Sequence, residues 1–169
     1  MHGKMNKILL ITLVLAALAG CSKTDVNMNK WRPKDFTHTG CAALTKAGLY
    51  SDDPSLLALK YEGGDLRVIH KNAELNCAIK ERGLVCDVRI EGNDIYYCVD
   101  YELQEAFVAN CICPVEEMSS AVTGLETDKE YTLHYCVLSD GYKPITFKFS
   151  KGLHQIINLD EWRNIVIVE

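Results

Sequence analysis

The sequence predicts an all-β protein whose body is an antiparallel Greek-key sandwich of about seven strands. Three observations carry this prediction. Apolar and polar residues alternate with a period of two along most of the chain after Leu56. Turn residues recur at short intervals between the alternating segments. Of the 169 residues, 48% are hydrophobic and 24% are charged, which is typical of one globular domain with a single core.

Residues 1–20 have the pattern of an export signal. Lys4 and Lys7 precede an apolar run from Ile8 to Leu18, which is shorter than the roughly 20 residues needed to span a bilayer. The sequence Leu18-Ala19-Gly20-Cys21 then resembles the lipobox of bacterial lipoproteins. This resemblance implies cleavage before Cys21 and attachment of acyl chains to that cysteine, which would hold the protein on a membrane.

The chain therefore divides into three parts. A signal peptide covers residues 1–20, the lipidated cysteine with a tether and an N-terminal arm covers 21–53, and the sandwich covers 54–169. Within the arm, residues 39–49 fit either a short helix or an edge strand. The net charge of −5 argues against a nucleic-acid partner. Removal of residues 1–20 takes away two lysines, and the resulting charge of −7 predicts that the protein body stands off from anionic lipid.

The strands follow one another at short spacing from Leu56 onward. Val68 and Ile69 interrupt the alternation of the second strand, which predicts a bulge or two-sided burial there. The tail at 164–168 is a further strand, which could pair with the N-terminal arm. The remaining candidate strands, with one hairpin among them, are 56–61, 66–77, the hairpin 85–103, 111–122, 129–138 and 144–150.

The hairpin can be predicted in register. The turn Glu91-Gly92-Asn93-Asp94 has glycine and asparagine at its centre, where positive φ angles are tolerated. If Glu91 lies opposite Asp94, then Val88 lies opposite Tyr97, Cys86 lies opposite Val99, and the apolar residues of both strands share one face. The same register places Tyr96 and Cys98 on the outward face, with Cys98 opposite Asp87.

The segment around residue 131 provides a second indication of the fold. Tyr131 follows Leu125 by six residues across a polar stretch. This spacing resembles the tyrosine corner of fibronectin type III and related immunoglobulin-like sandwiches, in which the tyrosine hydroxyl bonds to upstream backbone. The resemblance implies structural roles for Leu125 and Tyr131. In the same strand, His134 and Cys136 fall on the outward face.

Eight cysteines are the one unusual count in the composition. An exported protein can form disulfides, and with Cys21 acylated the remaining seven leave at least one cysteine unpaired. In a Greek-key sandwich the second and fifth strands are neighbours, so Cys77 can meet either Cys111 or Cys113. Cys86 and Cys98 point to opposite faces of the hairpin and are disfavoured as a pair. Six of the cysteines fall towards one end of the sandwich.

Three short motifs between residues 60 and 138 deserve comparison: His70-x-Asn72-Ala73-x-x-Asn76-Cys77, Cys111-x-Cys113-Pro114 and Gly124-Leu125. Together they resemble a family of uncharacterised lipoproteins of the Bacteroidetes type. The resemblance implies an exported immunoglobulin- or fibronectin-like sandwich. It carries no catalytic residue.

The cysteines also permit a different chemistry. Cys111 and Cys113 point the same way on a strand, and thiolates suit zinc or copper(I). An alternative interpretation is therefore a metal-binding or redox protein, with candidate ligands Cys77, Cys86, Cys111, Cys113 and His134. An unrecognised hydrolase is a further alternative, although no serine-nucleophile, glycine-loop or metalloprotease motif is present.

The sequence as a whole favours a non-enzymatic binding or scaffolding module without a cofactor. It would be anchored by its N-terminal lipid in the cell envelope, at the outer membrane, with a protein or a glycan as its ligand. The expected binding face is the cysteine-bearing end, formed by residues 78–83, 104–110 and 139–143, because loops at the end of a sandwich commonly carry function.

Overall fold

The computed structural model describes residues 33–41, 53–103, 111–138 and 140–162. The signal peptide, Cys21 and the tail at 164–168 lie outside these ranges. No helix among the described residues is long and apolar enough to cross a bilayer. The elements are β1 (Lys34–His38), β2 (Leu56–Glu62), β3 (Asp65–Asn76), α1 (Ile79–Arg82), β4 (Leu84–Glu91), β5 (Asp94–Tyr101), β6 (Ile112–Val122), β7 (Lys129–Val137), β8 (Asp140–Gly141), β9 (Ile145–Phe149), β10 (His154–Asn158) and a 3-10 turn at Leu159–Glu161.

The strands form two five-stranded sheets, which confirms the all-β sandwich. The first sheet has the order β1-β6-β3-β2-β10 and is antiparallel throughout. The second has the order β4-β5-β7, with β8 and β9 both paired along the far edge of β7. The core lies between the sheets, and its largest fully buried side chains include Phe149, Leu57, Leu59, Leu66, Ile95 and Leu133.

The β4–β5 hairpin has the predicted register. Glu91 pairs with Asp94, Val88 with Tyr97, and Cys86 with Val99. The shared apolar face is buried and the alternate residues face outward. A shift of one residue would turn the whole apolar set towards water, and this cost fixes the register.

The position of this hairpin differs from the predicted antiparallel Greek key. In an immunoglobulin-like order the third of the seven predicted strands, which is β4 here, would neighbour the sixth, which is β7. In the structure β5 takes that place and runs parallel to β7, from the pair Asp94–Thr132 to the pair Val99–Val137. The outer faces explain the choice, because β4 carries the charged row Asp87, Arg89 and Glu91, which suits an edge strand.

Of the two alternatives predicted at Val68 and Ile69, the bulge is wrong. Val68 is buried and Ile69 is half-buried, and both pair regularly with β6. The alternation breaks instead at Asn72, whose φ of 56° lies in the left-handed region. Ala73 and Leu75 follow on the buried face, so the change of face at Asn72 keeps the apolar residues of both halves of β3 inside.

Strands outside the predicted set complete the first sheet. β1 forms the N-terminal arm and pairs with β6, whereas Thr39 to Cys41 have no regular structure and the rest of 39–49 lies outside the described residues. β10 pairs with β2 through all five of its residues. The sandwich therefore has ten strands among the described residues, compared with about seven predicted.

Tyr131 has the contact expected of a tyrosine corner. The backbone N–H of Glu126 donates a hydrogen bond of 2.9 Å to the Tyr131 hydroxyl oxygen, and the ring of Tyr131 is buried. Leu125 packs against the core beside it. The bond fixes the crossing from β6 to β7.

We expect Tyr131→Phe to lower the free energy of unfolding by about 1 kcal/mol, because it removes one intramolecular hydrogen bond and keeps the ring. Urea denaturation would measure the change. Tyr61→Phe is the matched control, since Tyr61 is a partly buried ring of the same core, packed at a tilt against Phe149. Equal losses in the two variants would contradict a specific role for the Tyr131 hydroxyl.

Candidate functional site

The structure pairs six cysteines in three disulfides. Cys77 joins Cys111, with the Cα atoms 5.5 Å apart, which is one of the two pairings that the sequence left open. Cys113, the other candidate, joins Cys41 instead, at 5.3 Å. Cys98 joins Cys136 at 4.7 Å, a pair that the antiparallel order would have separated. All three Cα separations fit disulfide geometry.

Cys86 is the free cysteine among the described residues. It is buried on the inner face of β4, beside Tyr97 and Ser120. Burial raises the pKa of the Cys86 thiol to about 12, so the thiol stays protonated at neutral pH. A protonated, enclosed thiol is neither a nucleophile nor a metal ligand.

The alternative thiolate metal site is not assembled by this fold. Cys77, Cys111 and Cys113 form disulfides, so none of them has a thiolate that could bind a metal ion. Cys86 faces the core, whereas His134 lies on the outer face of the second sheet. Within the described ranges, no group of three or more His, Cys, Asp or Glu residues is placed to hold a metal ion.

A chain of three polar side chains crosses the core. His70 Nε2 lies 2.8 Å from Ser55 Oγ, and His70 Nδ1 lies 2.8 Å from the Tyr135 hydroxyl. His70 is 3% exposed, and burial lowers its pKa to about 4, so the imidazole is neutral at pH 7. Burial also raises the pKa of Tyr135 well above its usual value, which keeps this phenol protonated.

A neutral imidazole has one N–H donor and one acceptor nitrogen, and the hydroxyls of Ser55 and Tyr135 can each donate or accept. Either tautomer of His70 therefore satisfies both contacts. The network therefore satisfies buried polar groups and links the two sheets.

A second buried pair supports the same conclusion. The hydroxyls of Tyr97 and Ser120 lie 2.7 Å apart and connect β5 to β6 across the core. The rings of Tyr97 and Tyr135 are neighbours, with centroids 5.4 Å apart. In the described part of the chain, every buried side-chain nitrogen and oxygen has a hydrogen-bond partner.

The outer face of the second sheet carries a row of stacked side chains. The Tyr96 ring lies 4.7 Å from the His134 ring, nearly parallel to it, and the Arg89 guanidinium carbon lies 4.5 Å from the Tyr96 centroid. His134 Nε2 also contacts Asp94 Oδ1 at 2.8 Å. Because Arg89 and His134 come from strands on either side of β5, they occupy both faces of the Tyr96 ring. The row stabilises the β4-β5-β7 order and covers both faces of the Tyr96 ring.

The cysteine-bearing end of the sandwich, here called the pole, has a rigid base. The structure describes residues 78–83 and 140–143 of its predicted segments, whereas 104–110 and residue 139 lie outside the described ranges. The Cys77–Cys111 disulfide joins the residue before 78–83 to the residue after 104–110. In addition, Arg82 and Leu103 are linked by a backbone hydrogen bond of 3.0 Å and by a bond of 2.7 Å from Arg82 Nε to the Leu103 carbonyl.

The pole also exposes apolar surface. Leu103 is 52% exposed and Ile112 is 43% exposed, and these residues flank 104–111. The third exposed large hydrophobic residue among those described, Ile156, lies on the edge strand β10. Apolar side chains held on a cross-linked base are suited to contact a partner, because little conformational entropy remains to be lost there.

A cavity lies at the opposite end of the first sheet. It has a volume of about 210 Å³ and is lined by Lys34, Asp35, Glu62, Gly63, Asp65, Arg67 and Ala121. No sequence motif marks this cavity, because β1 and the β2–β3 turn come together only through the pairing of β1 with β6 and of β6 with β3.

No protein-family model, no curated protein and no solved structure shows a significant match to this chain.

Proposed function

We propose that this chain is a lipoprotein of a bacterial cell envelope, acylated at Cys21, and that its sandwich is a non-enzymatic binding or scaffolding module. The observation that carries the proposal is the disulfide frame. Six of the seven cysteines after Cys21 are paired. Such a frame persists in oxidising compartments outside the cytosol, which agrees with the export signal and lipobox in the first 21 residues.

The direction of β1 supports a display role. Its first residue, Lys34, pairs with Ala121 near the end of β6, whereas Ile112, at the beginning of β6, lies at the pole. The chain from Cys21 therefore enters the sandwich at the end opposite the pole. An anchor attached there would hold the pole away from the membrane, where a ligand can reach it.

The ligand that fits the pole best is a protein. Leu103 and Ile112 offer apolar contacts, and the Cys77–Cys111 disulfide holds the bases of two neighbouring segments. The outer membrane and the Bacteroidetes-type lipoprotein family are the most specific assignment that the sequence motifs favour. A glycan ligand is the other candidate. It would be favoured if added sugar abolished binding and substitution of the apolar residues did not.

The first experiment is intact mass and thiol analysis of the chain purified from a bacterial envelope. We expect a mass increase of acyl chains on Cys21, no thiol reactive under native conditions, and one thiol after denaturation without reductant, from Cys86. The Cys86 thiol should not react in the folded protein, because it is buried and its pKa is raised. A processed chain with an unmodified Cys21, or with several free thiols, would overturn the anchored, disulfide-framed assignment.

The second experiment tests the pole. The double variant Leu103→Ser with Ile112→Ser should lose cross-linking to envelope partners of the wild-type chain, while Ile156→Ser should retain it. Ile156 is a matched control because it is at least as exposed as the other two residues, at 59%, but lies on β10. If the double variant and Ile156→Ser cross-linked the same amount of partner, the binding surface would lie elsewhere.

A further inference from the structure

The cavity between β1 and the β2–β3 turn has walls of opposite charge. Lys34, Ala121 and Arg67 lie in one row across three strands, β1, β6 and β3. Neighbouring strands are about 4.8 Å apart, so the two cationic residues stand roughly 10 Å apart with a small alanine between them. The alanine forms the floor of the cavity and the two longer side chains flank it.

The third side of the cavity is acidic. It is formed by Glu62 and Asp65 on either side of the turn, together with Asp35 in β1. Arg67 contacts Glu62 at 3.7 Å, whereas neither Lys34 nor Asp65 forms an ion pair with another described residue. Among the described charged residues that line the cavity, the Arg67–Glu62 contact is therefore the one ion pair, and Lys34 and Asp65 remain available to a ligand.

The backbone is shaped around this cavity. β1 is irregular between Lys34 and Thr37, where its register with β6 shifts, and Asp35 has a φ of 57°. Gly63 and Gly64 also have positive φ values, which their tight turn requires. The irregularity in β1 moves Asp35 to the wall of the cavity, since a bulge redirects the side chains at its position.

We propose that this cavity binds a phosphate ester that carries an ammonium group, of the phosphoethanolamine type. The phosphate lies between Lys34 and Arg67, because two cations match one phosphate and arginine can bind phosphate oxygens through two parallel N–H groups. The ammonium lies against Glu62 and Asp65. A simple anion would meet the carboxylates and a simple cation would meet Arg67 and Lys34, so the site selects a ligand with both charges.

The source of this ligand that the geometry favours is a lipid headgroup, an assignment that rests on the proposed anchor at Cys21. Only residues 22–33 separate Cys21 from Lys34, and twelve residues reach at most about 40 Å. The tether therefore keeps the cavity within about 40 Å of the bilayer surface, which gives the headgroups a high effective concentration around it. A soluble or glycan-linked phosphoethanolamine has the same chemistry and would occupy the same groups.

The test is a titration of the full chain in detergent with O-phosphoethanolamine, followed by phosphorus NMR of the ligand. We expect saturable binding that is at least tenfold weaker for inorganic phosphate and for ethanolamine alone. Arg67→Gln and Asp65→Asn should each weaken binding at least tenfold, and Lys34→Gln, on the exposed edge strand, provides a variant whose folding is less at risk. Lys148→Gln is the control, because Lys148 forms a comparable exposed ion pair with Asp128 on the second sheet.

Equal binding of phosphate and O-phosphoethanolamine, absence of saturable binding, or indifference to Arg67→Gln would overturn the site. Two vesicle arms distinguish the sources. If the lipid headgroup is the occupant, the chain in phosphatidylethanolamine–phosphatidylglycerol vesicles no longer binds the soluble ligand, whereas in vesicles of phosphatidylglycerol alone it still does. Equal binding in both assigns the site to a soluble or glycan-linked ligand. A chain that proves unacylated removes the anchor and leaves the detergent titration as the test of the cavity.

Discussion

Replacing Cys41 and Cys113 together by alanine is expected to lower the free energy of unfolding by about 4 kcal/mol, since their disulfide closes the longest loop of the three. The two residues are 72 positions apart, compared with 34 for Cys77–Cys111 and 38 for Cys98–Cys136. Cross-linking a long loop removes conformations from the unfolded chain, which raises the free energy of the unfolded state. The loss is a large fraction of the ~5–15 kcal/mol by which domains are usually stable.

Urea denaturation of the variant and the wild-type chain, both without reductant, would measure this loss. Cys86→Ala is the control, because it removes a buried cysteine and breaks no disulfide. We expect a smaller loss for Cys86→Ala, of about 1 kcal/mol, from the atoms removed from the core. If the double variant lost no more than Cys86→Ala, the Cys41–Cys113 bond would not be contributing to stability.

The wild-type protein is expected to lose about 3 kcal/mol of stability through His70 as the pH falls from 6.5 to 4. The unfolded chain takes up a proton on His70 near pH 6.5, whereas burial lowers the pKa in the folded state to about 4. Between these two values the unfolded state binds more protons, so acid favours unfolding. The stabilisation is complete above pH 6.5 and is lost progressively down to pH 4.

The measurement is the free energy of unfolding at several pH values between 4 and 7, for the wild-type chain and for His70→Gln. Glutamine retains hydrogen-bonding groups for Ser55 and Tyr135 but does not titrate. The variant should be less stable at pH 7 and should show a shallower dependence on pH, and the difference in slope isolates His70 from the carboxylates. Identical slopes in the two proteins would contradict a depressed pKa at His70.

The local structure of this protein was largely predictable from its sequence. The turn at Glu91–Asp94 fixes the register of the β4–β5 hairpin, because only one pairing puts both apolar sets on one face. The spacing of Leu125 and Tyr131 predicted the tyrosine corner, because the residues that form it are also close together in the chain. The strand β10 was missed because the adjacent apolar residues Ile156 and Ile157 interrupt its alternation pattern on an edge where burial is partial.

The candidate sites were predictable only in part. The pairing of Cys77 with Cys111 or Cys113 followed from the adjacency of two strands, but Cys41 lies in a segment without a periodic pattern, and nothing local linked it to Cys113. The hydrogen-bonded chain of Ser55, His70 and Tyr135 joins residues up to 80 positions apart across two sheets, and no motif links His70 to the other two. The cavity at Lys34 and Arg67 depends in the same way on strand order.

By itself, the sequence determined the alternating strands, their buried faces, the hairpin turn and the corner at Tyr131, because each depends on residues that are neighbours in the chain. Only the tertiary structure decided that β5 rather than β4 lies beside β7, and with it the Cys98–Cys136 disulfide and the Tyr96–His134 stack. Both orders bury the same apolar faces. The choice between them rests on the outward residues, whose pairings across strands become visible only when the strands are placed side by side.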